Sequence, residues 1–320
     1  MKQERVSRMI GIGCVNLATL LWASNMVLGR LLKDSIGPIT ISSARFLIAS
    51  LIFAIILRQQ PPAERQVGKD WRLLAAMALT GIVLFSPVLY WGLHYTTAVN
   101  STIINGLAPL LTGLFATWLI KEPMSKRQIG GAILALIGVL YLISGGSLAF
   151  WQTAQFNRGD LIILIAVAIW GLYSVISSRV LRYRSSISAT ALSMFIGLPV
   201  LCLLAIEELQ RIPVIIDARL ILLTVYLGIV PAAIGFYAWN AGVARLGPSG
   251  AMVFYNTLPL YGALLGALFL DEAIGFPHII GGLLIVSGGI WAACKQPAVR
   301  SHKLVAGKTS NLNGKNNNND

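Results

Sequence analysis

Charged side chains are scarce in this chain of 320 residues: Asp, Glu, Lys and Arg make up 12% of it, and only 12 positions are acidic. That scarcity excludes an ordinary soluble globule, whose helices carry charged faces along most of their length. Cysteine is scarcer still. Cys14, Cys202 and Cys294 fall within or at the ends of apolar stretches and show no paired spacing, so neither a disulfide framework nor a zinc site is expected. His94, His278 and His302 are equally scattered, and no HExxH, CxxC or GxSxG pattern occurs. With no clustered nucleophile, acid or metal ligand, the chain is expected to be no enzyme, to need no cofactor and to bind no metal. A membrane enzyme acting on lipid would want such a cluster at one membrane level.

Apolar residues are abundant instead: 56% of positions are hydrophobic and the mean hydropathy is +0.74. This is the composition of a membrane protein. Ten apolar stretches are long enough for a hydrocarbon core of about 30 Å. They run over 9–29, 36–57, 73–93, 99–120, 128–148, 160–178, 187–206, 219–241, 249–270 and 277–294. A chain in lipid must satisfy its backbone internally, and these stretches are far longer than barrel strands, so helices are expected. The first stretch follows Lys2, Arg5 and Arg8 like a signal peptide, but it is too long for a cleaved one.

The formal charge of +13 could point to nucleic acid. Its distribution points elsewhere. With ten spans both termini share a side; nineteen of the 25 Lys and Arg fall on that side, and five (Arg30, Lys33, Arg158, Arg211 and Arg219) on the other, with Arg45 inside a span. By the positive-inside rule both termini are expected in the cytoplasm of a multi-pass plasma-membrane protein, and no nucleic acid is needed.

The chain also contains itself twice. "PLLTGLFATWLIKEPMSKRQIGGAILALIG" aligns with "PLYGALLGALFLDEAIGFPHIIGGLLIVSG" at an offset of 150, pairing Pro109 with Pro259, Glu122 with Glu272, Gly131 with Gly281 and Gly138 with Gly288. At an offset of 148, Trp22 falls on Trp170, Val27 on Val175 and Ile39 on Ile187. Five spans per half is an odd number, so the second half enters the membrane upside down. The expected fold is an all-α integral membrane protein of ten transmembrane helices arranged as two inverted five-helix repeats. The organisation is a cytoplasmic N-terminus (1–8), a first repeat (9–148), a linker (149–159), a second repeat (160–296) and a disordered cytoplasmic tail (297–320) ending in "KTSNLNGKNNNND". Inverted repeats are typical of secondary transporters, whose site lies near the midplane between the halves.

These residues carry a family resemblance. The Trp-x-x-Asn start of "LLWASNMVLGR", the span "GPITISSARFLIASLIF", and the Pro109 to Glu122 block with its copy from Pro259 to Glu272 resemble the EamA branch of the drug/metabolite transporter superfamily. The likeness covers almost all of 9–296. It implies a ten-helix exporter-type carrier of small metabolites, with amino-acid exporters prominent among relatives, and leaves the solute open.

Polar residues inside the spans are the candidate site. Trp22 and Asn25 share one helical face, and Trp170 and Tyr173 occupy the equivalent face of the second half. Asn240 and Trp239 in the eighth span, Tyr90 at the equivalent place in the third, and Asn105, Tyr255 and Asn256 in the fourth and ninth complete a pocket of aromatic and amide walls. The plainer reading is that each amide bonds a neighbouring helix, a contact of about 0.6 kcal/mol. Arg45, about 12 Å deep at 1.5 Å per residue, could hold a solute carboxylate, bind helix-end carbonyls or snorkel outward. Glu122 and Glu272 are expected to cap helix ends and fix topology. Tyr141, Trp151 and Trp291 read as interfacial anchors.

No Asp or Glu lies well inside a span, which disfavours proton-coupled export of cationic drugs. A sugar-phosphate exchanger would want more buried cations than Arg45. The expected activity is therefore export or exchange of small metabolites such as amino acids by alternating access, the alternatives being a multidrug or sugar-phosphate transporter or a membrane interaction protein that transports nothing. Its partners are the solute and the lipid bilayer, and a monomer suffices.

Overall fold

The computed structural model describes residues 2–147 and 157–293. Ten long helices run back and forth among them: α1 (Lys2–Leu31), α2 (Pro38–Arg58), α3 (Trp71–Tyr95), α4 (Ala98–Ile120), α5 (Lys126–Ile143), α6 (Arg158–Val180), α7 (Ser186–Arg211), α8 (Ala218–Leu246), α9 (Pro248–Leu270) and α10 (Phe276–Ala293). Nine are long and apolar enough to cross a membrane, and α10 is a shorter apolar helix. The all-α architecture of two repeats expected from the apolar runs is the one found. Trp151, Cys294, the tail and most of the proposed linker lie outside the described residues.

Large aliphatic side chains face outward along the helices, among them Leu51, Ile55, Leu203, Leu222 and Leu283, each at least 60% exposed. Such a surface suits hydrocarbon, where an outward Leu costs nothing. The polar groups turn inward.

Irregularities repeat as faithfully as the helices do. α4 tightens into a 3-10 turn at Asn105–Leu107 ahead of Pro109, and α9 breaks at Asn256 and Thr257 ahead of Pro259. Proline lacks the N–H that would continue the ladder, so each helix restarts there. Wide π turns interrupt α3 at Leu79–Leu84 and α8 at Gly228–Gly235. α4 and α9 end on left-handed residues at equivalent positions, Lys121 (φ 56°) and Asp271 (φ 52°). A side chain in that conformation costs roughly 1–2 kcal/mol, and it turns the following Glu122 and Glu272 back along the helix ends.

Residues equivalent in the two halves also touch one another, which only a symmetry axis between the halves allows. Trp22 meets Trp170 with ring centroids 4.7 Å apart. The Tyr255 hydroxyl donates to Asn105 Oδ1 at 3.0 Å. Where α5 crosses α10, Gly131 faces the Gly288 carbonyl and Gly138 the Gly281 carbonyl, each reciprocally. Absence of a Cβ lets these backbones approach closely.

Candidate functional site

The axis passes through an aromatic cluster. Trp22, Trp170 and Trp239 stand 4.7 to 5.6 Å apart by ring centroid, Trp170 stacks on Tyr173 at 4.8 Å, and Phe236 and Tyr255 close the group. The π turns make room for it. Gly235, at the end of the wide turn in α8, lies against the Trp22 ring, and Gly81, within that of α3, lies against Tyr173. Pro231, in the α8 turn, offers its carbonyl to the Trp22 indole N–H at 3.1 Å. The indole N–H groups of Trp170 and Trp239, both buried, have no partner among the described residues. Buried donors are seldom left so.

An Asn–Tyr pair flanks the cluster on each side, with the partners exchanged between halves. In the first, Tyr90 of α3 donates to Asn25 of α1 at 2.6 Å; in the second, Tyr173 of α6 meets Asn240 of α8, with 3.0 Å between Asn240 Nδ2 and the hydroxyl. Each pair ties the first helix of its half to the third. The third members differ. Asn240 also donates to Thr190 at 2.9 Å, whereas Asn25 and Tyr90 both accept from Arg45 Nη1, at 2.5 and 2.7 Å. Arg45 is 2% exposed, its Nε is unpartnered, and none of the ion pairs among the described residues involves it. It rests 4.9 Å from the Phe46 ring centre, and Phe46 in turn contacts Phe236 of the cluster. A buried guanidinium with no carboxylate beside it is costly unless an anion visits.

A cavity of about 30 Å³ separates the inner ends of α4 and α5 from α9 and α10. This holds a water and no larger solute. Met124, Gln128 and Ser249 line it toward the face on which the chain begins, and Asn256, Gly106 and Gly288 line it toward the centre. Both polar atoms of the Asn256 side chain, 5% exposed, are unpartnered among the described residues.

The structure thus gathers Trp22, Trp170, Tyr173, Trp239 and Tyr255 in one cluster, with Asn105 on Tyr255 and Asn240 on Tyr173. Asn25, Tyr90 and Arg45 form a neighbouring polar group, and Asn256 belongs to the cavity. Sequence reasoning passed over Thr190, whose equivalent at the offset of 148 is the buried hydroxyl residue Ser42, and Phe46, whose equivalent is Met194. It also passed over Asp160, which is 4% exposed and accepts from Thr96 at 2.5 Å.

Carboxylates at helix ends form a second constellation. Glu208 accepts from the backbone N–H groups of Ile39 and Thr40 at the start of α2, at 3.1 and 2.6 Å, and Glu64 accepts from Ser185 N, at 3.2 Å, beside the start of α7. Glu272 accepts from Ala98 N and Val99 N at the start of α4, at 2.9 and 2.8 Å. Glu122 is half-exposed and, among the described residues, comes no nearer to a charged partner than 4.0 Å from Arg182.

The model of the EamA-like transporter family matches residues 9–144 and again 157–293. The chain belongs to that family. An EamA-like relative from Bacillus subtilis, the uncharacterized transporter YyaM, is 29% identical over 277 residues, covering 82% of this chain and 88% of its own. A probable terminal-alkyne amino-acid exporter from Streptantibioticus cattleyicolor is 26% identical over 276 residues, covering 85% and 89%. Among solved structures, a crystal structure of a protein with 24% sequence identity matches with a TM-score of 0.65 over 90% of this chain and 96% of that one. The EamA-like chain is thus a membrane transporter by family, and its fold resembles that of a solved structure.

Proposed function

We propose that this EamA-like protein exports or exchanges small metabolites bearing a carboxylate, amino acids first among them, by alternating access between its two halves. The observation that carries this reading is Arg45: a buried cation with no counter-ion among the described residues, held by Asn25 and Tyr90 at the edge of an aromatic cluster in which the indole donors of Trp170 and Trp239 are unspent. A solute carboxylate supplies the missing charge, and the rings provide apolar contact for the remainder. The relative named as an amino-acid exporter supports the same class. The excess of Lys and Arg on the terminal side supports a plasma-membrane orientation with both termini cytoplasmic, and therefore outward release from the opposite face.

Counterflow tests this directly. Purified protein in liposomes preloaded with mixed unlabelled amino acids is expected to accumulate a labelled subset saturably, and to discriminate at least tenfold against the corresponding carboxamides, about the 1.5–3 kcal/mol of a charge-assisted bond. Arg45→Gln should erase that discrimination. Equal uptake of acid and amide removes the carboxylate from the reading, and absence of any accumulation by folded protein removes amino acids.

A further inference from the structure

Four glutamates lie in the last turn of α7 or just beyond the ends of α2, α4 and α9, and three of them reach a helix of the opposite half. Glu208 holds the start of α2 and Glu64 the start of α7, an exchange between the same two helices on opposite faces. Glu272, after α9, holds the start of α4 on the face away from the chain's beginning. Inverted symmetry demands a fourth contact: Glu122, after α4, on the start of α9 at the face where the chain begins.

That contact is open. The start of α9 has no side-chain cap at Gly247, and the cavity lies along this seam, with Met124 on one wall and Ser249 on the other. Lys121 and Asp271 give the backbone before both glutamates the same left-handed turn, while the Glu122 carboxylate lies 4.0 Å from Arg182. Pro248 has no N–H to give where Ala98 has one, which leaves Ser249 and Gly250 as donors. We propose that Glu122 is the gating residue of this seam. In the alternate state of the carrier its carboxylate caps the N-terminus of α9 and closes the cavity, while Glu272 releases α4 and opens the far face. A carboxylate at a helix N-terminus gains from both the free N–H groups and the helix dipole. The two seams exchange that gain between states. The inference rests on the alternating-access reading but not on the identity of the solute.

The test measures accessibility. Val253 lines the cavity, and Val253→Cys in a background lacking Cys14, Cys202 and Cys294 reports its opening through labelling by a water-soluble maleimide added to the face where the chain begins. Glu122→Gln weakens the closed seam, so labelling should quicken about threefold or more, while Glu272→Gln should slow it by a similar factor. Ser249→Pro, which removes a recipient N–H without touching the glutamate, should act like Glu122→Gln. Opposite shifts from the two glutamate variants support the gate even where no transported solute has been found. Equal labelling in all variants, or shifts in one direction from both glutamates, overturns it. Loss of transport by Glu122→Gln with unchanged labelling also overturns it, since a gate must move accessibility.

Discussion

Asn25 is where a structural and a functional role for Arg45 part company. Its Oδ1 accepts from both Arg45 and Tyr90, so the side chain sits where a carboxylate would most closely neutralise the guanidinium. Asn25→Asp supplies that carboxylate at nearly unchanged volume. A merely structural arginine would welcome it, and both folding and transport would be kept or improved. If Arg45 receives the solute, the new charge competes for the site: thermal stability in detergent should hold or rise, while exchange of carboxylate solutes falls at least tenfold, or about 1.4 kcal/mol of lost affinity. Unchanged exchange by Asn25→Asp would return Arg45 to the structural class. Legibility at this scale was uneven. The Asn–Tyr exchange between halves is visible in the sequence, because the offsets of 148 and 150 place Tyr173 over Asn25 and Asn240 over Tyr90. That the pairs bond within each half, rather than across the pocket, depends on how α1 and α3 pack and leaves no trace in spacing.

Elements answer to the glycines of the α5–α10 crossing. A Cβ on Gly131 would collide with the Gly288 carbonyl and with Ala292, both fixed by helical backbone, whereas one on Gly282 meets nothing within 4 Å. Gly131→Ala should therefore cost about 1–3 kcal/mol or more by overpacking. Gly282→Ala, in the facing helix α10, should be neutral or stabilise by roughly 0.5–1 kcal/mol through helix propensity. Unfolding midpoints in detergent for the two variants check this, and equal midpoints would mean that the helices separate more easily than the reciprocal contacts suggest. The crossing was legible because its glycines recur at a single offset, and the breaks in α4 and α9 were legible because proline marks them. The π turn at Leu79–Leu84 was not: that stretch contains no proline, and hydropathy is blind to a change from four to five residues per hydrogen bond. Glu64 and Glu208 also escaped, since they do not superpose at either offset.

The whole molecule is held together on the face where the chain begins by a link between halves. Asp70, just before α3, pairs with Arg184, in the turn between α6 and α7, and Arg184 Nη2 also donates to the Gln66 carbonyl at 2.8 Å. The hydrogen bond from Arg184 holds the Asp70 carboxyl below its ordinary range, and Asp70 in turn raises the guanidinium. A depressed folded value fixes the sign. The pair stabilises the fold fully above the ordinary carboxylate value of about 3.9, and the contribution disappears as pH falls through the lower folded value. Asp70→Asn removes this term at every pH. Its unfolding free energy should lie on the order of 1 kcal/mol below that of the parent protein at pH 7, and the gap should close as pH falls below about 4. A gap that stays constant from pH 7 to pH 3 would assign the loss to packing and not to charge. Because the Asp70–Arg184 link spans the two halves and neither residue lines the cavity between α4 and α9, the variant should leave Val253→Cys labelling unchanged. That outcome would separate the fixed tie between halves, which both states of the carrier need, from the seam that opens and closes.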